Sequence, residues 1–240
     1  MKRLLLTLSL ALFCFIIYGQ QRELDLYPVA LGGPDISKES RKFIDRRDHL
    51  LKVNQLTIQE RKELQNMMLS DSDVLKNVWQ VTDSSKGWYK YGGNYKVESS
   101  TSLASIEGVR YDAYMANDLS YATAWVVSGP GIGESISYYF KPELPRIKTI
   151  CISNGVVNCE KLWLDHNRVK RLQLRVNGVI YATLHLSNTR LTQYFELDIP
   201  LNKPSSGKDL ILRFEILDIY PGAKYNQTAL TEIYFDGESR

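Results

Sequence analysis

Residues 169–186 read VKRLQLRVNGVIYATLHL, and this stretch decides the fold. Apolar and polar side chains largely alternate over residues 169–176 and again over residues 179–186, which is the period of half-buried β-strands. Asn177-Gly178 lies between the two runs. This dipeptide favours a two-residue hairpin, because both central residues must take positive φ. The stretch therefore predicts an antiparallel pair of strands.

The same two-residue period recurs on both sides of this hairpin. Further strands are predicted at residues 135–140, 148–153, 195–199, 210–216 and 230–235. Trp125 follows a turn, and we interpret it as a core residue at the start of another strand. A series of short strands separated by turn signals is typical of a sandwich or barrel. Because each sheet face must be covered, a mainly β, two-sheet jelly roll is the economical architecture.

Before residue 85 the apolar period is helical instead. A first stripe is formed by Ile36, Phe43, Ile44, Leu50 and Leu51. Thr57 and Glu60 have the spacing of a capping box, in which each side chain bonds a free amide at a helix start. Ser70 to Asp73 are predicted to cap a third short helix that runs to Trp79. The sequence thus predicts a short helical N-terminal extension over residues 20–85 and a sandwich over residues 86–240.

The first residues resemble a secretory signal. Lys2 and Arg3 precede an apolar run over residues 4–17, and cleavage is expected after Gly19, which makes residues 1–19 a signal peptide. The run is shorter than the roughly 20 residues of a membrane span, although a retained N-terminal anchor is the alternative. We expect a secreted, periplasmic or cell-surface protein with no stable membrane span after cleavage.

Charge and cysteine content narrow the partners and the chemistry. Loss of Lys2 and Arg3 would leave 28 basic and 27 acidic residues, so nucleic acid is a poor candidate partner. Cys151 and Cys159 are either a disulfide, which the compartment permits, or two free thiols.

Signatures of catalysis are not evident in the sequence. The three histidines are scattered over a predicted helix, a loop and a strand: His49, His166 and His185. The segment Gly131-Ile132-Gly133-Glu134 is followed by a strand, so no helix N-terminus is expected there to hold a phosphate. We therefore expect a protein that is not an enzyme.

An ordered set of short motifs adds a resemblance to a family. Residues 111–237 resemble the NADase-type glycan-binding domain, also called the NAD glycohydrolase translocation domain, of the discoidin-like (F5/8 type C) branch of galactose-binding-like jelly rolls. The resemblance rests on Asn117-Asp118, Thr123-Ala124-Trp125-Val126, Gly131-Ile132-Gly133-Glu134, Ile152-Ser153-Asn154-Gly155, Asn167-Arg168-Val169-Lys170, Tyr220-Pro221-Gly222 with Tyr225, and Thr231-Glu232-Ile233. It implies a jelly roll, an extracellular location and carbohydrate binding through loops at one rim.

The resemblance also raises the question of a structural calcium ion. Asp118, Thr123 and Glu232 match ligand positions of discoidin-like modules, whereas Leu119 and Ser120 replace a glycine and a second acid. Calcium takes six or more oxygen ligands, so a site built here would be weakened. The alternative is that Asp118 and Thr123 hydrogen-bond the turn themselves.

Candidate ligand contacts combine aromatic and planar polar groups, which suit the faces and hydroxyls of a sugar. The candidates are Asn154, Trp163, Asp165, His166, Asn167, Arg168 and Tyr225. A structural role stays open as the alternative to ligand binding for two of these residues. In that case Trp163 plugs the end of the sandwich and Arg168 braces a carboxylate. The first hypothesis is a secreted glycan-binding module. The others are an envelope protein-interaction module that docks a protein partner through the N-terminal helices, and an enzyme acting on sugars or NAD.

Overall fold

A computed structural model describes residues 23–33, 38–74, 93–142, 146–201 and 207–238. The predicted signal peptide, the predicted boundary near residue 85 and Trp79 lie outside the described residues. Within the described part of the chain, no helix combines the length and the hydropathy needed to cross a bilayer.

Eleven strands and a few short helices make up the described structure. The strands are β1 (Leu24–Leu26), β2 (Ala30–Gly32), β3 (Lys96–Ser99), β4 (Trp125–Val127), β5 (Ser135–Phe140), β6 (Arg146–Asn154), β7 (Asn167–Val176), β8 (Val179–His185), β9 (Thr192–Leu201), β10 (Leu210–Tyr220) and β11 (Thr228–Glu238). The helices are α1 (Lys38–Lys52), α2 (Ile58–Val74) and α3 (Glu160–Asp165), with a 3-10 turn at Ala113–Ala116. The mainly β prediction is confirmed.

The strands form two layers that meet along a short parallel contact. One layer has the order β2-β9-β6-β11-β4, and the other has the order β1-β8-β7-β10-β5-β3. Strands β11 and β7 join the layers in parallel through Thr228↔Asn167 and Ala229↔Arg168. This is a jelly-roll arrangement in which a single core lies between the layers.

The core is built from every second side chain along the strands, the ones that face the opposite layer. Phe235 on β11 meets Tyr138 on β5 edge to face, with ring centroids 5.1 Å apart, and both side chains are fully buried. Trp125 is also buried, at 1% exposure, as the sequence predicts. Burial of these side chains is the main favourable term that holds the layers together.

The predicted hairpin forms as expected. Asn177 and Gly178 take φ values of 48° and 86°, and β7 pairs with β8 in antiparallel register. The Asn177 Oδ1 also accepts a hydrogen bond from the Ile211 amide at 2.7 Å, which ties the turn to β10. The local turn chemistry therefore agrees with the tertiary structure.

The N-terminal part contains the first two of the three predicted helices and two strands that the sequence analysis did not foresee. The capping box is present, since the Glu60 amide donates to Thr57 Oγ1 and the Thr57 amide donates to Glu60 Oε2, at 3.2 and 3.0 Å. Residues 70–73 lie inside α2 rather than capping a third helix, so that prediction was wrong.

Strands β1 and β2 lie within residues 20–85, the region predicted as a helical extension, and before its first predicted helix. They pair with β8 and β9, respectively, so residues 24–32 extend one edge of each layer. We call residues 23–33 the strap, because they run from one layer to the other. The strap makes the N-terminal part of the chain continuous with the sandwich.

Cys151 and Cys159 are free thiols, and both are buried. Burial is also the main cause that raises the pKa of the Cys159 thiol. Of the two alternatives, the structure therefore shows separate thiols.

Candidate functional site

Two connections between strands meet at one end of the sandwich, and the predicted ligand residues cluster there. α3 follows β6 and leads directly into β7, and the β10–β11 loop lies against it. The amides of Ala223, Lys224 and Tyr225 donate to carbonyls of Leu164 and Asp165 at 2.8–3.1 Å. These bonds fix the β10–β11 loop to α3, so we call this end of the molecule the α3 rim.

Asn154 and Asn167 hold the rim together from inside. The Asn154 side chain is fully buried and bonds both the amide and the carbonyl of Val169, at 2.9 and 2.7 Å. The Asn167 side chain is 3% exposed; it accepts from the Gly222 amide and donates to the Asn226 carbonyl, each at 2.8 Å. Both amide groups thus act as backbone partners, and their polar atoms point into the protein.

Trp163 and Arg168 form the second half of this internal support. They are 8% and 5% exposed, and the Arg168 guanidinium lies 4.6 Å from the centroid of the Trp163 ring. The indole Nε1 donates to the Asn154 carbonyl at 2.8 Å. Trp163 therefore plugs the end of the sandwich, as one of the two interpretations proposed.

Arg168 braces carbonyl oxygens rather than a carboxylate. Its Nη1 donates to the carbonyls of Trp163, Leu164 and His166 at 3.2, 3.3 and 2.8 Å. These carbonyls end α3, where the helix dipole is negative, so a cation stabilises them. Burial lowers the pKa of the guanidinium from its ordinary value. The expected carboxylate partner is not found among the described residues.

Two glycines are required for the loops to approach this support. Gly155 has φ +84°, and a Cβ there would lie 2.6 Å from Trp163 Cδ1 and 2.7 Å from Arg168 Cγ. A Cβ on Gly222 would lie 2.3 Å from the Asp165 carbonyl oxygen. The Asn-Gly and Pro-Gly motifs in the sequence therefore mark places where three segments pack closely.

The outer side of the α3 rim carries the side chains that solvent can reach. The rings of His166 and Tyr225 pack against each other with centroids 4.7 Å apart and an interplanar angle of 38°. The Lys224 ammonium lies 4.8 Å from the Tyr225 ring centroid, and Leu162 is 38% exposed one helical turn before His166. We call Leu162, His166, Lys224 and Tyr225 the rim surface.

Six of the seven predicted ligand residues separate into two groups, and Asp165 is the seventh. Asn154, Trp163, Asn167 and Arg168 are buried supports, and His166 and Tyr225 belong to the rim surface. Asp165 is 9% exposed, and its Oδ2 accepts from Lys161 Nζ at 2.5 Å.

Sequence reasoning missed Leu162 and Lys224 on this surface. The i, i+4 spacing of Leu162 and His166 was an available signal, since such residues share a helix face. For Lys224, its place beside Tyr225 was the one hint.

A separate pair of acids links β11 to the loop before β4. Glu232 is fully buried beside Asp118, and its Oε2 accepts a hydrogen bond from the Ser120 amide at 3.3 Å. Asp118 Oδ2 accepts from the Thr123 hydroxyl at 2.7 Å, and Oδ1 accepts from the Ser120 amide at 3.0 Å. Asp118 and Thr123 therefore hydrogen-bond the turn themselves, as the alternative interpretation expected.

The protonation of this pair is strongly perturbed. Burial, and next the charge of Asp118, hold the pKa of Glu232 well above its ordinary value. Burial also raises the pKa of Asp118, which the Thr123 hydrogen bond partly opposes. Glu232 Oε1 has no hydrogen-bond partner among the described residues. A buried carboxyl oxygen without a hydrogen-bond partner is stabilised by a proton or by a cation.

These residues fit a calcium ion only in part. Two carboxyl groups and the Thr123 hydroxyl face one place, and the unpaired oxygen of Glu232 is a free ligand. The described residues contain no cluster of three or more acidic, histidine or cysteine side chains of the kind that holds a metal. Backbone carbonyls and water would have to complete the six to eight oxygens that calcium takes.

Helix α1 supports the α3 rim from the other side. Asp48 Oδ2 accepts from the Glu160 amide at 3.2 Å, where α3 starts, and the Arg47 guanidinium donates to the Asn158 carbonyl at 2.5 Å. Cys159, the residue that precedes α3, makes no capping bond with its own side chain. A residue about 110 positions earlier in the chain therefore caps this helix.

The fold and this loop arrangement define a jelly-roll module of the discoidin type with an N-terminal helical extension. Residues 88–236 match the family model described as the NAD glycohydrolase translocation F5/8 type C domain. The chain belongs to this family. Among proteins of curated function, none matches the sequence.

Several solved structures are similar to this chain at low identity. A CBM32-3 structure from a family 31 glycoside hydrolase of Clostridium perfringens is 15% identical, with 63% of this chain and 98% of that chain covered and a TM-score of 0.42. An F5/8 type C domain from Bacteroides fragilis is 16% identical, with 68% and 98% covered and a TM-score of 0.42. The arabinofuranosyltransferase AftD from mycobacteria is 16% identical over 62% of this chain, with a TM-score of 0.41, and this chain spans 11% of it.

Proposed function

We propose that this protein is a non-catalytic glycan-binding module that works outside the cytoplasm. The sugar would contact the rim surface, with its ring against His166 and Tyr225. The observation that carries the proposal is this half-buried aromatic pair on a hydrogen-bonded support. Family membership supports the same class of function.

The physical argument concerns rigidity as well as chemistry. An aromatic face suits the C–H side of a sugar ring, and neighbouring polar groups suit its hydroxyls. A binding surface is precise only when its residues are held by packing and by further hydrogen bonds. Asn167 and Arg168 supply that here, since they bond the Gly222 amide and the His166 carbonyl on either side of the aromatic pair.

The predicted signal over residues 1–19 supports export, because Lys2 and Arg3 precede the apolar run.

Calcium would play a structural part in this module. When bound, the ion would neutralise the buried acids, and Asp118, Thr123 and Glu232 would supply three of its ligands.

A glycan array probed with the wild-type protein and the Tyr225→Ala and His166→Ala variants tests the proposal. We expect binding by the wild type and a clear loss in both variants, because each removes one ring of the pair. Tyr95→Ala is the matched control: Tyr95 is 50% exposed and bonds Asp209, next to the far end of β10. No binding to any bacterial or host glycan would sink the proposal, as would equal losses in all three variants.

A second candidate is a protein-interaction module that uses the N-terminal helices. Ile58 is 91% exposed and Met68 is 54% exposed on α2, so both apolar side chains are accessible to a protein partner. Light scattering after size exclusion would compare the wild type with an Ile58→Ser/Met68→Ser variant. Oligomers that the double variant loses, with no change on the glycan array, would favour this candidate.

A third possibility, an enzyme on sugars or NAD, has its own readout. Glycosidase and NAD-hydrolysis assays at micromolar protein are expected to remain at background, because no catalytic constellation was identified at the rim surface. Turnover in either assay would overturn the non-catalytic part of the proposal.

A further inference from the structure

We infer that the glycan bound at the rim surface is acidic and presents a carboxylate to Lys224. This inference rests on the proposed function, and it adds the class of ligand. The argument comes from positive charges at the α3 rim that outnumber the carboxylates near them among the described residues.

The first such charge is buried. Arg168 is 5% exposed, and its hydrogen bonds go to neutral acceptors, which are three carbonyls and the Asn188 side-chain oxygen at 3.3 Å. Arginine keeps its charge in proteins. The end of a helix offsets roughly half an elementary charge, so a positive potential remains at the α3 rim.

The second charge is exposed and lies on the rim surface itself. The Lys224 ammonium is next to the Tyr225 ring and hydroxyl, and it forms no ion pair with a described residue. Its amide is bonded to the Asp165 carbonyl at 3.1 Å, so the position of its backbone is fixed. Lys224 therefore presents its ammonium group beside an aromatic ring from a fixed backbone position.

The carboxylates near the α3 rim are already engaged. Asp165 is paired with Lys161 at 2.5 Å, with the Asp165 side chain 12% exposed. Asp218 is paired with both Lys170 and Arg171, at 3.1 and 3.4 Å. The charge of Asp165 also acts on Lys224, so this one carboxylate is shared between Lys161 and Lys224. Arg168 has no carboxylate partner among the described residues, so the local charge at the α3 rim is positive although the whole chain carries only +3.

This arrangement fits a sugar that carries one carboxylate. The ring would lie on the aromatic pair, and the carboxylate would accept a hydrogen bond from the Lys224 ammonium. Such charge-assisted bonds are stronger than those of a hydroxyl. The low net charge of the chain makes a general attraction to polyanions a poorer explanation.

Calorimetric titration with matched pairs of sugars tests the inference. One pair is trigalacturonate and its methyl ester, and the other is 3′-sialyllactose and lactose, so that uronates and sialic acids are distinguished. We expect the acidic member of at least one pair to bind roughly tenfold more tightly than its neutral partner, the range of one charged hydrogen bond. Lys224→Gln should remove that preference.

The control variant is Lys208→Gln. Lys208 is exposed and precedes the opposite end of β10, roughly 35 Å along that strand from the rim, at about 3.3 Å per residue. It should leave both the affinity and the preference unchanged.

The outcomes separate this inference from the function on which it rests. Equal binding of acidic and neutral members, lost in Tyr225→Ala, would overturn the inference and keep the glycan-binding function. Equal weakening by Lys208→Gln and Lys224→Gln would also overturn it, because the attraction would then be non-specific. Binding of no sugar in either pair or on the array would overturn the proposed function itself.

Discussion

Gly155 shows how a single residue sets the shape of the α3 rim. Its left-handed φ and the nearness of Trp163 and Arg168 exclude a side chain. Gly178, in the β7–β8 hairpin, also has positive φ, but nothing lies within 4 Å of a Cβ placed there. The two glycines therefore separate backbone conformation from close packing.

Replacing each glycine by alanine should give unequal losses of stability. Gly178→Ala should cost about 1 kcal/mol, the usual price of a left-handed alanine. Gly155→Ala should cost about 3 kcal/mol, because the clash with Trp163 and Arg168 adds to that strain. Urea denaturation of both variants measures the difference. Equal losses would mean that the rim packing relaxes freely around a methyl group.

Glu232 makes the stability of the protein depend on pH in an unusual direction. Its folded-state pKa is raised well above the ordinary 4.5, so the folded state holds the proton more tightly than the unfolded chain. That contribution to stability is complete below about pH 4.5. It is lost as pH rises through the folded-state pKa, where a charge must be buried.

Glu232→Gln should remove this loss. We expect the variant to melt at a higher temperature than the wild type at pH 8 without calcium, and to show a smaller change between pH 5 and pH 8. Millimolar calcium should raise the melting temperature of the wild type and leave the variant unchanged. A calcium response that persists in Glu232→Gln would contradict the assignment of this residue as a ligand.

At the scale of elements, α1 behaves as part of the sandwich rather than as an appendage. Ile44 packs in one cluster with Tyr121 and Trp163, so the helix covers the side of the α3 rim support. Arg47 and Asp48, the polar pair on this face, are 3% and 6% exposed. The pair joins α1 to the residues that begin α3.

Asp48→Ala should be costly for this reason. It removes the Asp48 carboxylate from beside the buried Arg47 charge and the cap from Glu160, so we expect a loss of about 3 kcal/mol in the free energy of unfolding. Glu63→Ala is the matched control, because the Arg46–Glu63 pair joins α1 to α2 at the surface. The control should change the melting temperature only slightly. Equal effects in denaturation experiments would show that α1 is loosely attached.

At the scale of the whole molecule, the strap closes one edge of both layers. β1 pairs with β8 and β2 pairs with β9, so the strap covers backbone groups that would otherwise form open edges. The contact is reinforced by side chains: His185 Nε2 bonds Asp25 at 2.6 Å and stacks on Tyr27 at 4.6 Å. Open edges of this kind invite pairing with another chain.

A chain that begins at residue 34 should therefore lose stability and self-associate. The control is a chain that begins at residue 23, which keeps β1 and β2. Light scattering over a range of concentrations should show association in the shorter chain alone. Monodisperse behaviour of both chains would mean that β8 and β9 are protected without the strap.

The sequence predicted best where the determining chemistry is local. Asn177-Gly178 specifies its own turn, and the Thr57–Glu60 capping box specifies a helix start within one turn of chain. β1 and β2 were missed because three-residue strands have no period of their own and exist only through pairing with β8 and β9.

The candidate site was located by sequence, but its inside and outside were not distinguished. The polar groups of Asn154 and Arg168 are suited to ligand contacts, but they hydrogen-bond the backbone of Val169 and the carbonyls at the end of α3 instead. Burial depends on segments that are distant in the chain, such as α1. The apolar periodicity of a single segment therefore cannot predict whether a loop residue is buried.

The division of labour at the α3 rim has a consequence for how ligand preference can change. Side chains such as Leu162 and Lys224 project outward and contribute little to the packing of the fold. Their substitution should therefore leave the stability of the protein almost unchanged. Asn154, Gly155 and Arg168 underneath tolerate no such freedom. A laboratory library confined to the outer positions should therefore yield mostly folded proteins with altered sugar selectivity.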